Sequence, residues 1–514
     1  MVIRVGIVGR RSGWGMLLEQ EGVPYAQVTE PPAPDTWSAL VVSDGEEKVD
    51  AVREYLAGGG AVLCSADTYG RIANLPCQRG FIRYLTEESD SLFAGVSLLD
   101  LFGECTLARD ASALRTDRGK PAVFVGEFGR GQIVALPFDA GKMIRDPRTG
   151  TKSFYAEHKR LPFETVSLVS RNGIRRLVAR SLEILHHRRG LPYAHAWYYP
   201  SDTRTLFAFR VDTDGAERRD IEQLYSLSRL HGIPFTWFVD VGSQKDSLSF
   251  FKAMERQEIG VHCYDHRPHE QYESTLADVR LAVRAFRGHG IEAPGYAAPY
   301  GTWNEAIARV VSECRFEYSS EFSCDYDNLP SSPPVQDPAA RSLQVPVHPI
   351  SIGNLRRQGI PENDMRLYFL RIIEQKLDSR EPIFLYHHPK NGHAGVLEEI
   401  FNFVRTRGVH STRMIDYARW WKRRCSANFE LHCERSTISA RFPDPPPDVP
   451  LHITRIDDTE AFAPVQSSID LDRLTWMPKP EAPFPPPDIH RIRRFNPWIP
   501  VIRAGNMLSR WSGA

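Results

Sequence analysis

Two histidines stand four residues apart in Gly260-Val261-His262-Cys263-Tyr264-Asp265-His266. Upstream, the apolar run Phe207-Ala208-Phe209-Arg210-Val211 ends in Asp212-Thr213-Asp214-Gly215. A strand-end carboxylate and a spaced imidazole pair suit a divalent cation that keeps positions open for water and substrate, with zinc the expected ion. A third cluster, Phe384-Leu385-Tyr386-His387-His388-Pro389, closes another apolar run. Its two histidines are adjacent, so strand alternation turns them to opposite faces and only one can serve a common site.

The elements around these clusters fit one layout. Strands are predicted over 205–211, 235–239, 260–262, 295–298 and 382–388, with helices over 220–231, 247–255, 274–288, 303–313 and 395–405. Every polar cluster then falls just past the C-terminal end of a strand, where a (β/α) barrel gathers its active site. Residues 1–190 alternate differently. Strands over 4–8, 39–43 and 61–64, a strand within 129–139, and helices over 13–27 and 46–56 predict an open parallel α/β sheet. A small β-rich region is expected over 425–477, and a proline-rich linker with a basic tail over 478–514. The tail carries Arg491, Arg493, Arg494, Arg503 and Arg510 among Phe495, Trp498, Ile499 and Trp511. That pattern suits peripheral contact with an anionic membrane through residues 490–514, or docking on the protein's own surface.

The 514 residues predict several domains, and equal totals of Lys+Arg and Asp+Glu, 64 each, give no global attraction to nucleic acid. The eight cysteines lack close pairs, and the start reads as a strand rather than an export signal. The expectation is a cytoplasmic protein, able to sit peripherally on the inner membrane, with reduced thiols.

Residues 206–424, within a unit set at 200–424, resemble the polysaccharide deacetylase family, carbohydrate esterase family 4, whose fold is a distorted (β/α) barrel. The resemblance rests on His262-Cys263-Tyr264-Asp265-His266, on Asp214-Gly215, on Pro299-Tyr300-Gly301 and on the histidines after the Phe384-Leu385-Tyr386 run. It implies that His262 and His266 are metal ligands. Alignment on Gly215 makes Asp214 the third ligand and puts Thr213 in the slot of the catalytic base. Asp212, two residues from Asp214 and on the same strand face, is then the candidate base; the reverse assignment, Asp212 as ligand and Asp214 as base, stays open. The arginine that orients the base in the family is Ala297 here; with the usual base absent from the first motif, that cation would have no partner. The Tyr300 amide is implied as an oxyanion donor, and His388 or His387 as the general acid, with His388 preferred. His269 is an alternative ligand, and Asp325 and Asp327 correspond loosely to a fourth motif. Residues 1–190 resemble glutamine-amidotransferase-like domains through the segments 58–64 and 129–139. Cys64 lacks the flanking glycines and the histidine partner of that family's nucleophile, so this domain is expected to be non-catalytic.

The resemblance implies a metal-dependent hydrolase that removes an N-acetyl group from an amino sugar of a cell-surface polysaccharide precursor. The altered motifs also admit a catalytically degenerate carbohydrate-binding or scaffold protein of a biosynthetic complex.

Overall fold

Strands that are buried along their whole length, rather than alternating, set the frame. Leu206–Asp212, Phe235–Asp240 and Ile383–His387 are buried at every residue, as parallel strands covered on both faces must be. In the computed structural model they lie side by side, Leu206–Asp212 in the middle and all parallel. The ladder continues through Glu258–Cys263, Gly295–Tyr296, Tyr318–Ser319 and Leu343–Gln344 into a curled parallel half-barrel. The structure describes the chain except residues 30–31, 46–47, 88–91, 202, 268–270, 336–341, 428, 442–447, 481–487, 495, 498 and 502–514.

The helices Arg218–His231, Tyr272–Gly288 and Glu362–Asp378 lie between these strands in sequence, and Ala394–Thr406 follows the last of them. Their apolar faces join Phe207, Phe209, Phe235, Trp237 and Phe401 in one core. Arg218–His231 ends at Gly232, whose φ of 66° makes a left-handed cap. Helix and strand bounds in this half of the chain depart from the sequence reading by only a few residues.

The N-terminal sheet differs from expectation. Tyr25–Gln27, Val5–Val8, Ala39–Val42, Ala61–Ser65 and Gly131–Leu136 form its parallel half in that order. Pro121–Phe128, Ala113–Thr116, Cys77–Thr86 and Leu98–Ala108 then extend it antiparallel, so the sheet is mixed rather than parallel. The physical reason is the connections. Tight turns carrying Gly119 and Gly129, both at positive φ, join neighbours directly, and only antiparallel strands can be joined that way. The helix expected over 13–27 stops at Glu21, because Gly22 takes φ 83° and caps it; residues 25–27 then pair as a strand. Cys64 sits inside the Ala61–Ser65 strand at 1% exposure.

The C-terminal strands share sheets with distant parts of the chain. Glu430–Glu434 pairs with Val2–Ile3 and is followed in the same sheet by Thr437–Arg441 and Ser468–Asp470, while Leu451–Thr454 pairs with Tyr193–Ala196 and is followed by Thr459–Ala463. The tail also folds back. Ile492 is buried within the half-barrel core, and Arg493 makes two hydrogen bonds, of 2.7 and 2.6 Å, to the carboxylate of Asp100. Lys152 reaches the same carboxylate at 2.9 Å. Burial opposes the charge on Asp100, yet these two cations hold its pKa below the ordinary value. Arg491, Ile492 and Arg493 thus dock on the protein itself; Phe495, Trp498 and residues 502–514 lie outside the described residues. Among the described residues no helix is long and apolar enough to cross a membrane.

The Asp100 cluster predicts a measurable cost. Arg493→Ala removes half of the compensation for a fully buried carboxylate and should destabilise the fold by about 3 kcal/mol. Urea unfolding reads this directly, and an unchanged midpoint would show that the docked tail contributes nothing.

Candidate metal centre

Three strand ends supply the centre, all at the C-terminal rim of the half-barrel. The chain leaves the Leu206–Asp212 strand through Asp214 and turns at Gly215, whose φ is 55°. Glu258–Cys263 carries His262 and the loop that follows carries His266. Ile383–His387 delivers His388 just beyond its last residue.

These groups meet at one carboxylate. His262 Nε2 lies 3.0 Å from Asp214 Oδ1, and His266 Nε2 and His388 Nε2 lie 3.2 and 3.3 Å from Oδ2. One donor atom each from Asp214, His262 and His266 falls within 4.8 Å of the others. The contacts are close but not aligned as hydrogen bonds. Asp214 Oδ1, His262 Nε2 and His266 Nε2 are all buried without a hydrogen-bond partner. Buried polar atoms are rarely left so, and three of them converging is the donor set a divalent cation needs. His262 Nδ1 lies 2.6 Å from the Ala297 carbonyl and donates to it, which fixes the tautomer and turns the Nε2 lone pair toward Asp214. The residues present therefore fit a metal ion.

The electrostatics agree. Burial works against a charged Asp214, but His262 and His388 outweigh it and hold the carboxyl well below its usual range. Burial likewise opposes protonation of His262, while Asp214 and, more weakly, Asp212 lift its pKa to about 9. In the absence of a cation, a proton takes its place on His262.

The floor of the site is sealed and its rim is open. Asp212 is 3% exposed and Arg210 fully buried, whereas Tyr300 is 40% exposed. Tyr300 holds φ 61° in the Pro299–Gly301 turn, and its ring lies 4.9 Å from that of His266.

The surroundings of Thr213 and Asp212 separate their roles. Thr213 does not stand in the position of a base: it is fully buried, and its hydroxyl accepts the Asp240 backbone N–H at 2.9 Å. Nor does Asp212 lack an orienting cation. Arg210 donates from Nε and Nη2 to its two carboxylate oxygens, both at 2.7 Å. The guanidinium is fixed further by hydrogen bonds from Nη1 to Ser320 and lies over the Phe238 and Tyr386 rings. The sequence carried this signal, since residues i and i+2 on a strand share a face.

His387 and His388 part as alternation requires. His387 turns into the core, its ring 6.4 Å from that of Phe209, and burial pushes its pKa down to about 3. Asp325 and Asp327 serve other networks. Asp325 accepts from Asn328 at 2.8 Å, and burial raises its pKa to about 6. Asp327 pairs with Lys376 at 2.7 Å and with His348 at 2.9 Å. His269 lies outside the described residues. Sequence reasoning also passed over Glu164, a half-buried carboxylate on the Phe163–Ser167 strand that feels the charge of His388 and accepts from Asn354 at 2.9 Å.

Residues 211–319 match the sequence model of the family described as Polysaccharide deacetylase, and this stretch is a polysaccharide deacetylase domain. Its matched span begins in the Leu206–Asp212 strand and ends at the Tyr318–Ser319 strand, so it takes in Asp212, Asp214, both ligand-spaced histidines and Tyr300. No curated protein matches the chain. Among solved structures, a putative polysaccharide deacetylase from Mycobacterium smegmatis is similar at 17% identity. It covers 44% of this chain and 93% of its own, with a TM-score of 0.39. A Puue allantoinase is similar at 16% identity over 44% of this chain and 93% of its own, TM-score 0.39. A CE4 family pseudoenzyme from Bacillus anthracis is similar at 12% identity over 43% of this chain and 68% of its own, TM-score 0.29.

Proposed function

We propose that the protein is a metal-dependent hydrolase that removes the N-acetyl group from an amino sugar, such as one in a cell-surface polysaccharide precursor. The observation that carries this reading is the convergence of Asp214, His262 and His266 with their buried donor atoms unpartnered. A divalent cation, with zinc the first choice, would be held by these three residues and would polarise the acetyl carbonyl and acidify a water.

The protein's own groups would do the rest. Asp212, oriented by Arg210, would accept the proton of the attacking water. Each of its oxygens accepts one N–H from Arg210, and each keeps further acceptor capacity for that proton. The Tyr300 amide would donate to the oxyanion as the tetrahedral centre forms. His388, 3.3 Å from Asp214 and partly exposed, would deliver a proton to the departing amine, while His387 faces away. The open rim beside Tyr300 and His266 would admit the sugar.

The test is acetate release from N-acetylglucosamine oligosaccharides by protein loaded with zinc. Release should stop on chelation and return when zinc is restored. No release from any N-acetylated amino sugar, with one metal ion per chain verified, would overturn the reading.

A further inference from the structure

A second cavity, of about 260 Å³, opens away from the metal centre, between the start of the Arg171–Arg188 helix and the end of the Glu362–Asp378 helix. It is large against the ~30 Å³ that one water occupies. Arg176 lines it, and this partly buried guanidinium has no hydrogen bond or ion pair among the described residues. Burial and the neighbouring Arg175 depress its pKa, while Glu381 and Glu87 oppose them without forming an ion pair with it.

Arg171 points the same way. It lines the cavity and is 3% exposed, and although its Nη2 donates to the Asp146 carbonyl, its Nε is buried without a partner. The 18-residue helix that begins at Arg171 adds its own donors. Its N-cap Ser170 makes no side-chain cap, because the hydroxyl is spent on the Asp100 carboxylate at 3.2 Å. The first-turn N–H groups, and the positive end of the dipole, are left to whatever occupies the cavity. The remaining charges are accounted for: Lys376 is paired with Asp327, and Glu381 Oε1 with Arg175. Glu381 also lines the cavity and its buried Oε2 has no partner, so a ligand bearing a hydroxyl beside its anionic group would satisfy both kinds of unpaired atom.

We infer that this cavity binds a phosphomonoester, the phosphate resting on Arg176, Arg171 Nε and the helix N-terminus, with a hydroxyl donated to Glu381. The site is distinct from the metal centre, and the inference does not depend on the activity proposed above. Isothermal titration calorimetry of the full chain with inorganic phosphate and with a hexose 6-phosphate tests it. The hexose phosphate should bind more tightly than phosphate, and Arg176→Ala should weaken it at least tenfold. Arg176→Lys, which keeps the charge but not the fork, should fall between. A thermal melt and zinc content like those of the unaltered protein would show that each variant is folded. Absence of binding by the hexose phosphate at about 10 mM, a level that would reveal even millimolar affinity, would overturn the inference. So would unchanged affinity in a folded Arg176→Ala protein, or phosphate binding as tightly as the hexose phosphate.

Discussion

Asp212→Asn should lower acetate release by about 10²–10⁴-fold, the usual contribution of a positioned general base, while the protein still binds one zinc ion. The two readouts together separate the assignments that the Asp212-Thr213-Asp214 spacing allows. If Asp212 were the ligand and Asp214 the base, the substitution would lower zinc content as well as turnover. The geometry argues for the first arrangement. Asp214 is the carboxylate that three imidazoles approach, whereas both oxygens of Asp212 are engaged by Arg210. Asparagine keeps the shape of the side chain and one acceptor, but it leaves the buried Arg210 without its counter-charge, so stability should fall by about 3 kcal/mol and the zinc content reports the folded fraction. Unchanged turnover in a zinc-loaded Asp212→Asn protein would remove Asp212 from the chemistry.

The sequence made the centre legible because its signals are local. A histidine pair at fixed spacing, a carboxylate at a strand end and a histidine after an apolar run each survive without knowledge of tertiary contacts. The longer half-barrel strands were legible for the same reason, since mainly apolar runs mark strands buried on both faces; the two-residue strands Tyr318–Ser319 and Leu343–Gln344 carry no such run. What escaped was relational. Cys77–Thr86 and Leu98–Ala108 are 10 and 11 residues long and mix buried, half-buried and exposed positions irregularly, so they carry neither a continuous run nor a strict alternation. Pairing across their register, not local pattern, makes them strands. The swap of Val2–Ile3 into a sheet of the C-terminal region rests on contacts more than 400 positions apart. No periodicity announces such a partner. Arg210 sits between these extremes, since its spacing from Asp212 was plain but its role was obscured by the search for an arginine near Pro299.

Arg210→Met should destabilise the protein by about 3–5 kcal/mol, the cost of leaving a buried ion without its counter-charge. It should also lower turnover more than it raises KM. The stability term follows from burial. Arg210 is fully buried and Asp212 is 3% exposed, so no water can replace the two hydrogen bonds that are lost. The catalytic term follows from position: a base must be held within reach of the proton it takes, and Arg210 contacts both oxygens that would take it. Arg210→Lys separates the two effects. An ammonium keeps the charge and much of the stability but cannot grip both oxygens in a fork, so turnover should fall while the urea midpoint recovers toward that of the unaltered protein. Ala297 explains why the cation comes from this strand. Its carbonyl fixes His262 and its small, fully buried side chain packs in the same cluster as Phe238 and Tyr386, the rings over which the Arg210 guanidinium lies. A long side chain at position 297 would have to share that space with Arg210. A Lys variant with full turnover would show that charge alone suffices, and that the fork geometry at Asp212 serves the fold rather than the reaction.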